Sequence, residues 1–138
     1  MPRHKINISV IRNQIQNLLV NNQGIIDIAH ERGKEILDRE KQLMMNDFED
    51  HEYSKEIDAG PLANNTSGSL GGQYGNLFSY IGFMAGSDPI GDVLRILREY
   101  TFLKRTSRGA RYGQNSVRYE FPVYYPSRGE LASETPFP

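Results

Sequence analysis

The side chains whose type and spacing could do chemistry are three histidines, a glycine-rich run with serines, scattered carboxylates and a cluster of arginines. His30-Glu31-Arg32-Gly33-Lys34 starts like a zinc-binding helix. It lacks the second histidine four residues on that would put two imidazoles on one face. His51 stands among Asp47, Asp50 and Glu52, a set able to hold a hard cation weakly, but a solvated acidic turn is the simpler reading. The alternating acids and terminal glutamate of an EF-hand loop are missing. Cysteine is absent, which excludes disulfides and thiolate metal sites together.

Gly68-Ser69-Leu70-Gly71-Gly72-Gln73-Tyr74-Gly75 invites comparison with a phosphate-binding loop. It has no Walker lysine, and the stretch after it reads as a strand rather than an open helix N-terminus. Ser67, Ser69 and Ser79 have neither a Gly-x-Ser-x-Gly setting nor a histidine partner. Carboxylate pairs in the N-terminal third are of the kind that solubilise a helix surface. The sequence thus predicts no catalytic residue, no metal and no cofactor, and a protein that is not an enzyme.

Lys104, Arg105, Arg108, Arg111 and Arg118, with Tyr112 and Tyr119 interleaved, form the best chemical candidate. Cations and aromatic faces in one stretch suit phosphate contacts and base stacking, so a small nucleic-acid-binding protein using residues 104–118 is one reading. The other is a hairpin whose arginines pair with acidic groups on an adjacent subunit.

The elements that must position these groups follow from periodicity. Residues 7–47 read as one long helix capped by Ser9, with Ile11, Ile15, Leu18, Ile25, Ile36 and Leu43 along its stripe. Asn21-Asn22-Gln23-Gly24 is a point where that rod kinks or breaks, and Gly33 is a second weak point. Such a helix spans roughly 50 Å, more than a domain this small covers, so part of the stripe should face a neighbour. Tyr53–Asp58 reads as a short strand. Gly60 to Gly75 holds five glycines and forms a long loop, ordered by anchors at Leu70 and Tyr74. Leu77–Phe83 is rich in β-formers and reads as a strand. Ser87-Asp88-Pro89 starts a helix running to Tyr100. A second strand is expected over Tyr100–Ser107, then a hairpin loop over Arg105–Ser116. Residues 117–125 alternate strictly, with Pro122 marking a sheet edge or bulge. A helical turn follows Ser127.

The resulting expectation is an α+β fold: a long N-terminal helix packed on a small antiparallel sheet, with a short second helix and long ordered loops. At 138 residues it is one domain, with residues 1–48 as the helix and 54–138 as loop, sheet and short helix. The apolar share of 38% and mean hydropathy of −0.58 indicate a folded but core-poor chain that completes its burial against neighbouring copies. No apolar run approaches the ~18 residues of a membrane span, and no secretory segment opens the chain, so a soluble protein made in a cytoplasm is expected. Charge is uneven: residues 1–92 carry 8 Lys/Arg against 13 Asp/Glu, and residues 93–138 carry 8 against 4. Opposite-signed halves either pair head to tail between copies or mix within one folded monomer.

Three segments carry a resemblance. Ser54-Lys55-Glu56-Ile57-Asp58-Ala59-Gly60-Pro61, Asn65-Thr66-Ser67-Gly68-Ser69-Leu70-Gly71-Gly72 and Gly75-Asn76-Leu77-Phe78-Ser79-Tyr80-Ile81-Gly82-Phe83 resemble, in order, a family of tailed-bacteriophage virion proteins. These are described as neck, tail-completion or head–tail joining proteins. Gly86-Ser87-Asp88-Pro89-Ile90, Phe121-Pro122-Val123 and Thr135-Pro136-Phe137-Pro138 are similar to the same family. Relatives of this type continue past the last segment with a tryptophan-containing tail, where this sequence ends at Pro138. The resemblance implies a non-enzymatic ring-forming subunit at the neck or head-proximal tail end, assembled in the host cytoplasm. Its implied partners are identical subunits and other phage neck or tail proteins. It also implies genomic DNA passing through the lumen without sequence-specific contact, and no membrane. Residue chemistry nominates the subunit contacts: Ser67, Gly68, Leu70, Gly71, Gly72 and Tyr74 in the loop, and Arg105, Arg108 and Arg111 in the basic stretch. Asp47, Glu49 and Asp50 are their electrostatic counterpart.

Overall fold

A computed structural model describes residues 6–71 and 75–134 and has the expected α+β class. Contacts divide the chain into two compact units: Met1–Ile36 with Leu103–Val123, and Leu37–Phe102 with Tyr124–Pro138.

The N-terminal helical stretch is two helices, α1 (Ile8–Asn21) and α2 (Gln23–Asp50), broken at the Asn-Asn-Gln-Gly run. Asn22 makes the break: its backbone is extended and its Oδ1 accepts from the Ile25 amide at 3.1 Å, capping α2. The N-cap of α1 is Asn7 rather than Ser9. The Asn7 Oδ1 accepts from the Ser9 and Val10 amides at 3.2 and 3.4 Å, because a cap must lie one residue outside the helix whose amides it satisfies.

In the first unit α1 packs against a hairpin of β2 (Ala110–Tyr112) and β3 (Ser116–Arg118), which pair antiparallel with Arg111 opposite Val117. The hairpin turn is therefore only residues 113–115, tighter than the expected loop. The expected strand over 117–125 is interrupted at residues 119–122, where Pro122 has no amide to donate. Past it, β4 (Val123–Tyr124) pairs instead with β1 (Phe102–Leu103), all that forms of the strand expected over Tyr100–Ser107. Ile26 and His30 are buried, with His30 edge-on to Phe121 at 5.3 Å between centroids.

The second unit is helical where strands were expected. Tyr53–Asp58 lies in α3 (Glu52–Asp58), started by His51, whose Nδ1 accepts from the Tyr53 amide. That role replaces the weak cation site suggested for His51. Leu77–Ile81 forms α4 instead of a strand. Its caps outweigh its β-forming composition: Asn76 Oδ1 accepts from the Ser79 amide at 2.9 Å, and Gly82 ends the helix at φ 93°, a conformation costly for any other residue. α5 (Pro89–Tyr100) begins as expected, with Asp88 capping the Gly91 amide and Pro89 in the first turn. α6 (Arg128–Glu134) opens on a reciprocal capping box between Ser127 and Glu130. Met45, Phe78, Ile90 and Ile96 form the apolar core here.

Lys41 closes the other end of α5. Its ammonium donates to the Arg98 and Thr101 carbonyls, both at 2.8 Å, where the helix dipole is negative. Lys41→Met keeps the stem and removes the donors. We expect a loss of about 1.5 kcal/mol in chemical denaturation, with an unchanged m-value.

Candidate functional site

Two groups of side chains stand out, one in each unit. In the second unit the glycine-rich loop is pinned by Glu56, whose residue is 1% exposed. One carboxylate oxygen accepts from the Leu77 amide at 2.7 Å and from Asn65 Nδ2 at 2.8 Å. The other accepts from the Ser67 amide at 2.9 Å and again from Asn65 Nδ2 at 3.1 Å. Desolvation alone would raise the Glu56 pKa, but the hydrogen bonds from Ser67, Asn65 and Leu77 outweigh it and hold it at about 2. Asn65 Oδ1 in turn accepts from the Leu70 amide at 3.2 Å. Asn76 Nδ2 ties the other end, donating to the Gly60 and Ala63 carbonyls at 3.1 and 2.7 Å.

The loop is thus ordered around a buried anion, and it presents Ser67, Gly68, Leu70 and Gly71 on a fixed path. Gly72 and Tyr74 lie outside the described residues. Glu56 and Asn65 were not singled out in the sequence. A glutamate in a short polar segment has no distinguishing signature, because its ligands are brought to it from 9 to 21 residues away. Asn76 did carry a signal, an N-cap residue ahead of the run Leu77-Phe78-Ser79-Tyr80-Ile81.

At the end of α2, Asp47, Glu49 and Asp50 are exposed, and Asp50 pairs with Lys55 at 3.1 Å. Glu49, Asp58 and Asp88 line a groove of about 230 Å³ with Lys55 as its cation. Among the described residues no group of three or more metal-ligating side chains is close enough to hold an ion.

In the first unit the hairpin is clamped to α1. Gln16, a buried amide, donates to the Gly113 and Ser116 carbonyls, each at 3.2 Å. The Gly109 amide donates to the Val20 carbonyl at 2.8 Å, and the Tyr119 hydroxyl donates to the Leu19 carbonyl at 2.7 Å. Arg111 also turns inward and donates to Asn17 Oδ1. Arg105, Arg108 and Arg118 instead line one groove of about 430 Å³. Arg118 takes the place expected of Arg111, since strand alternation puts it opposite Ala110 and on that residue's face. Arg118 stacks over Tyr112 at 4.0 Å and meets Glu120 at 3.3 Å, while Arg105 meets Asp27 at 3.4 Å. No ion pair is formed by Arg108 among the described residues.

Comparison with known proteins adds nothing to this geometry: no family model, curated protein or solved structure matches the chain. Among the described residues no helix is long and apolar enough to cross a membrane.

Proposed function

We propose that this chain is a structural, non-enzymatic subunit of a tailed-phage virion, forming a ring with identical copies at the neck or the head-proximal end of the tail. It is made in the host cytoplasm and joins other neck or tail proteins around a passage for the genome. The family reading rests on the resemblance of residues 54–138. The assembly reading is supported above all by exposed apolar side chains within each unit: Ile8, Ile15 and Leu18 in the first and Leu62, Tyr80 and Met84 in the second are each more than half exposed. Apolar surface of this kind is what assembly removes from water. Two grooves of opposite charge, one lined by Arg105, Arg108 and Arg118 and one by Glu49, Asp58 and Asp88, suit heterologous contacts that close into a ring.

Replacing Arg105 and Arg108 by glutamate should reduce ring formation at least tenfold, read by native mass measurement of the purified protein alone and mixed with tail tubes or filled heads. An unchanged ring population would count against the contact. Arg111→Glu is expected to act differently, by loosening the hairpin from α1.

One observation favours a second reading, binding of nucleic acid: three arginines line one groove, and one of them, Arg118, stacks over Tyr112. That reading predicts DNA affinity that falls steeply with salt. An isolated protein that leaves labelled single-stranded and duplex DNA unbound at low salt removes it.

A further inference from the structure

α1 packs the wrong way round for an isolated amphipathic helix. Its buried residue is Gln16, with Leu19 and Val20 half-buried beside it. Ile8, Ile11, Ile15 and Leu18 are 61%, 43%, 51% and 70% exposed. Those four residues are spaced three, four and three apart, which is the a/d seam of a coiled coil rather than the broader face of a helix packed on a domain. We propose that this stripe is a homotypic docking surface, on which α1 of a second copy lies antiparallel, Ile8 on Leu18 and Ile11 on Ile15.

Several features specify this occupant. The three-four-three spacing reads the same in either direction, so the stripe is complementary to itself about a two-fold axis. Arg12 is the one charged residue of α1, so two copies meet with little like-charge repulsion. The helix has no acidic residue in its first turn and no basic residue in its last, so it supplies no charge of its own to compensate its end charges. An antiparallel neighbour brings each end against its opposite. Gln14, Asn17 and Asn21 line a shallow groove beside Leu18 and supply a polar rim. The stripe offers on the order of 400 Å² per copy, and the flanking side chains carry it toward the ~600 Å² per partner at the low end of specific interfaces. A reversible dimer of modest affinity is the consequence. The inference rests on α1 alone and not on the ring reading, because an isologous contact closes at two copies.

The test is sedimentation equilibrium of the full chain from roughly 5 to 500 µM, in the wild type and in an Arg105→Glu/Arg108→Glu background where ring contacts are weakened. The mass should rise from monomer toward dimer in that background. Ile11→Asp or Ile15→Asp should weaken the dimer at least tenfold with an unchanged circular dichroism spectrum, since both positions face solvent in the monomer. The cysteine-free sequence permits a directional check. Oxidising Ile11→Cys protein mixed with Ile15→Cys protein should give mainly the mixed cross-linked dimer. A monomer at every concentration, a dimer indifferent to the aspartates, or dominant self-cross-linking of Ile15→Cys would each overturn the proposal. Loss of the dimer on arginine reversal would overturn it as well, and would assign the contact to the hairpin.

Discussion

Glu56→Gln should lower the unfolding midpoint by roughly 5–10 °C at pH 7, with the loss concentrated in the glycine-rich loop and α4. The substitution keeps the shape of the side chain and changes only its hydrogen-bonding sense. Both carboxylate oxygens already accept from N–H donors, at Leu77, Ser67 and Asn65. An amide must turn its NH₂ toward one of these donors. A buried N–H is then left facing another donor, which costs more than the bond itself contributed. The pH dependence gives a sharper reading. The hydrogen bonds from Ser67, Asn65 and Leu77 outweigh desolvation and hold the Glu56 carboxyl at about 2, below its ordinary value of 4.5. The stabilisation it provides is complete above about pH 4.5 and is lost as pH falls from there toward 2. Glu130 is depressed to about 2 as well, through hydrogen bonds from Tyr124 and Ser127, but it contributes equally to both proteins. The wild-type and Glu56→Gln melting curves should therefore converge between pH 4.5 and 2. A gap that stays constant across that window would mean the charge is not what holds the loop.

Gly109→Ala carries the second large effect, through space rather than backbone freedom. A Cβ at Gly109 would lie 2.7 Å from Tyr119 Cε1 and 2.8 Å from Val117 Cγ1. Neither atom gives way easily, because Tyr119 is held by its hydroxyl on the Leu19 carbonyl and Val117 is stiff at χ1. Overpacking of this kind costs about 2–3 kcal/mol. It should also break the Gly109 amide bond to Val20, the point where the hairpin joins α1. Hydrogen exchange at Gly109 should accelerate sharply, and the groove of Arg105, Arg108 and Arg118 should lose its shape. Tyr119→Phe removes the ring's anchor, so Gly109→Ala added to it should cost less than Gly109→Ala alone. Additive losses would show that the ring was never the obstacle.

Acceleration of assembly loss in Gly109→Ala without any change in the arginines would link the two findings. The hairpin can present its cations only while Gln16, Val20 and Leu19 of α1 hold its backbone. Presentation of those cations thus depends on polar contacts to a helix whose Ile8, Ile11, Ile15 and Leu18 stay exposed.

Much of this was legible in the residues themselves. The Asn-Asn-Gln-Gly interruption, the Asp88-Pro89 helix start, the helix after Ser127 and the effect of Pro122 are local, because each rests on a side chain bonding its own neighbours or on a missing amide. The α+β class followed from periodicity, the three- and four-residue spacing of residues 7–47 and the alternation over 117–125. What the sequence could not decide was anything set by partners far along the chain. Leu77–Ile81 is a different case, because its strand composition was overruled by caps at its own ends, Asn76 and Gly82. Arg111 and Arg118 are equivalent by type, and only strand register turned one toward Asn17 and the other into the groove. Glu56 is an ordinary surface residue by composition, until the loop closes over it and its charge becomes the loop's organising centre. The stripe on α1 was visible as periodicity, but periodicity gives only the spacing of apolar residues. Which face of the helix is buried depends on what arrives to cover it, and in this fold the hairpin covers Gln16 and leaves the isoleucines in water.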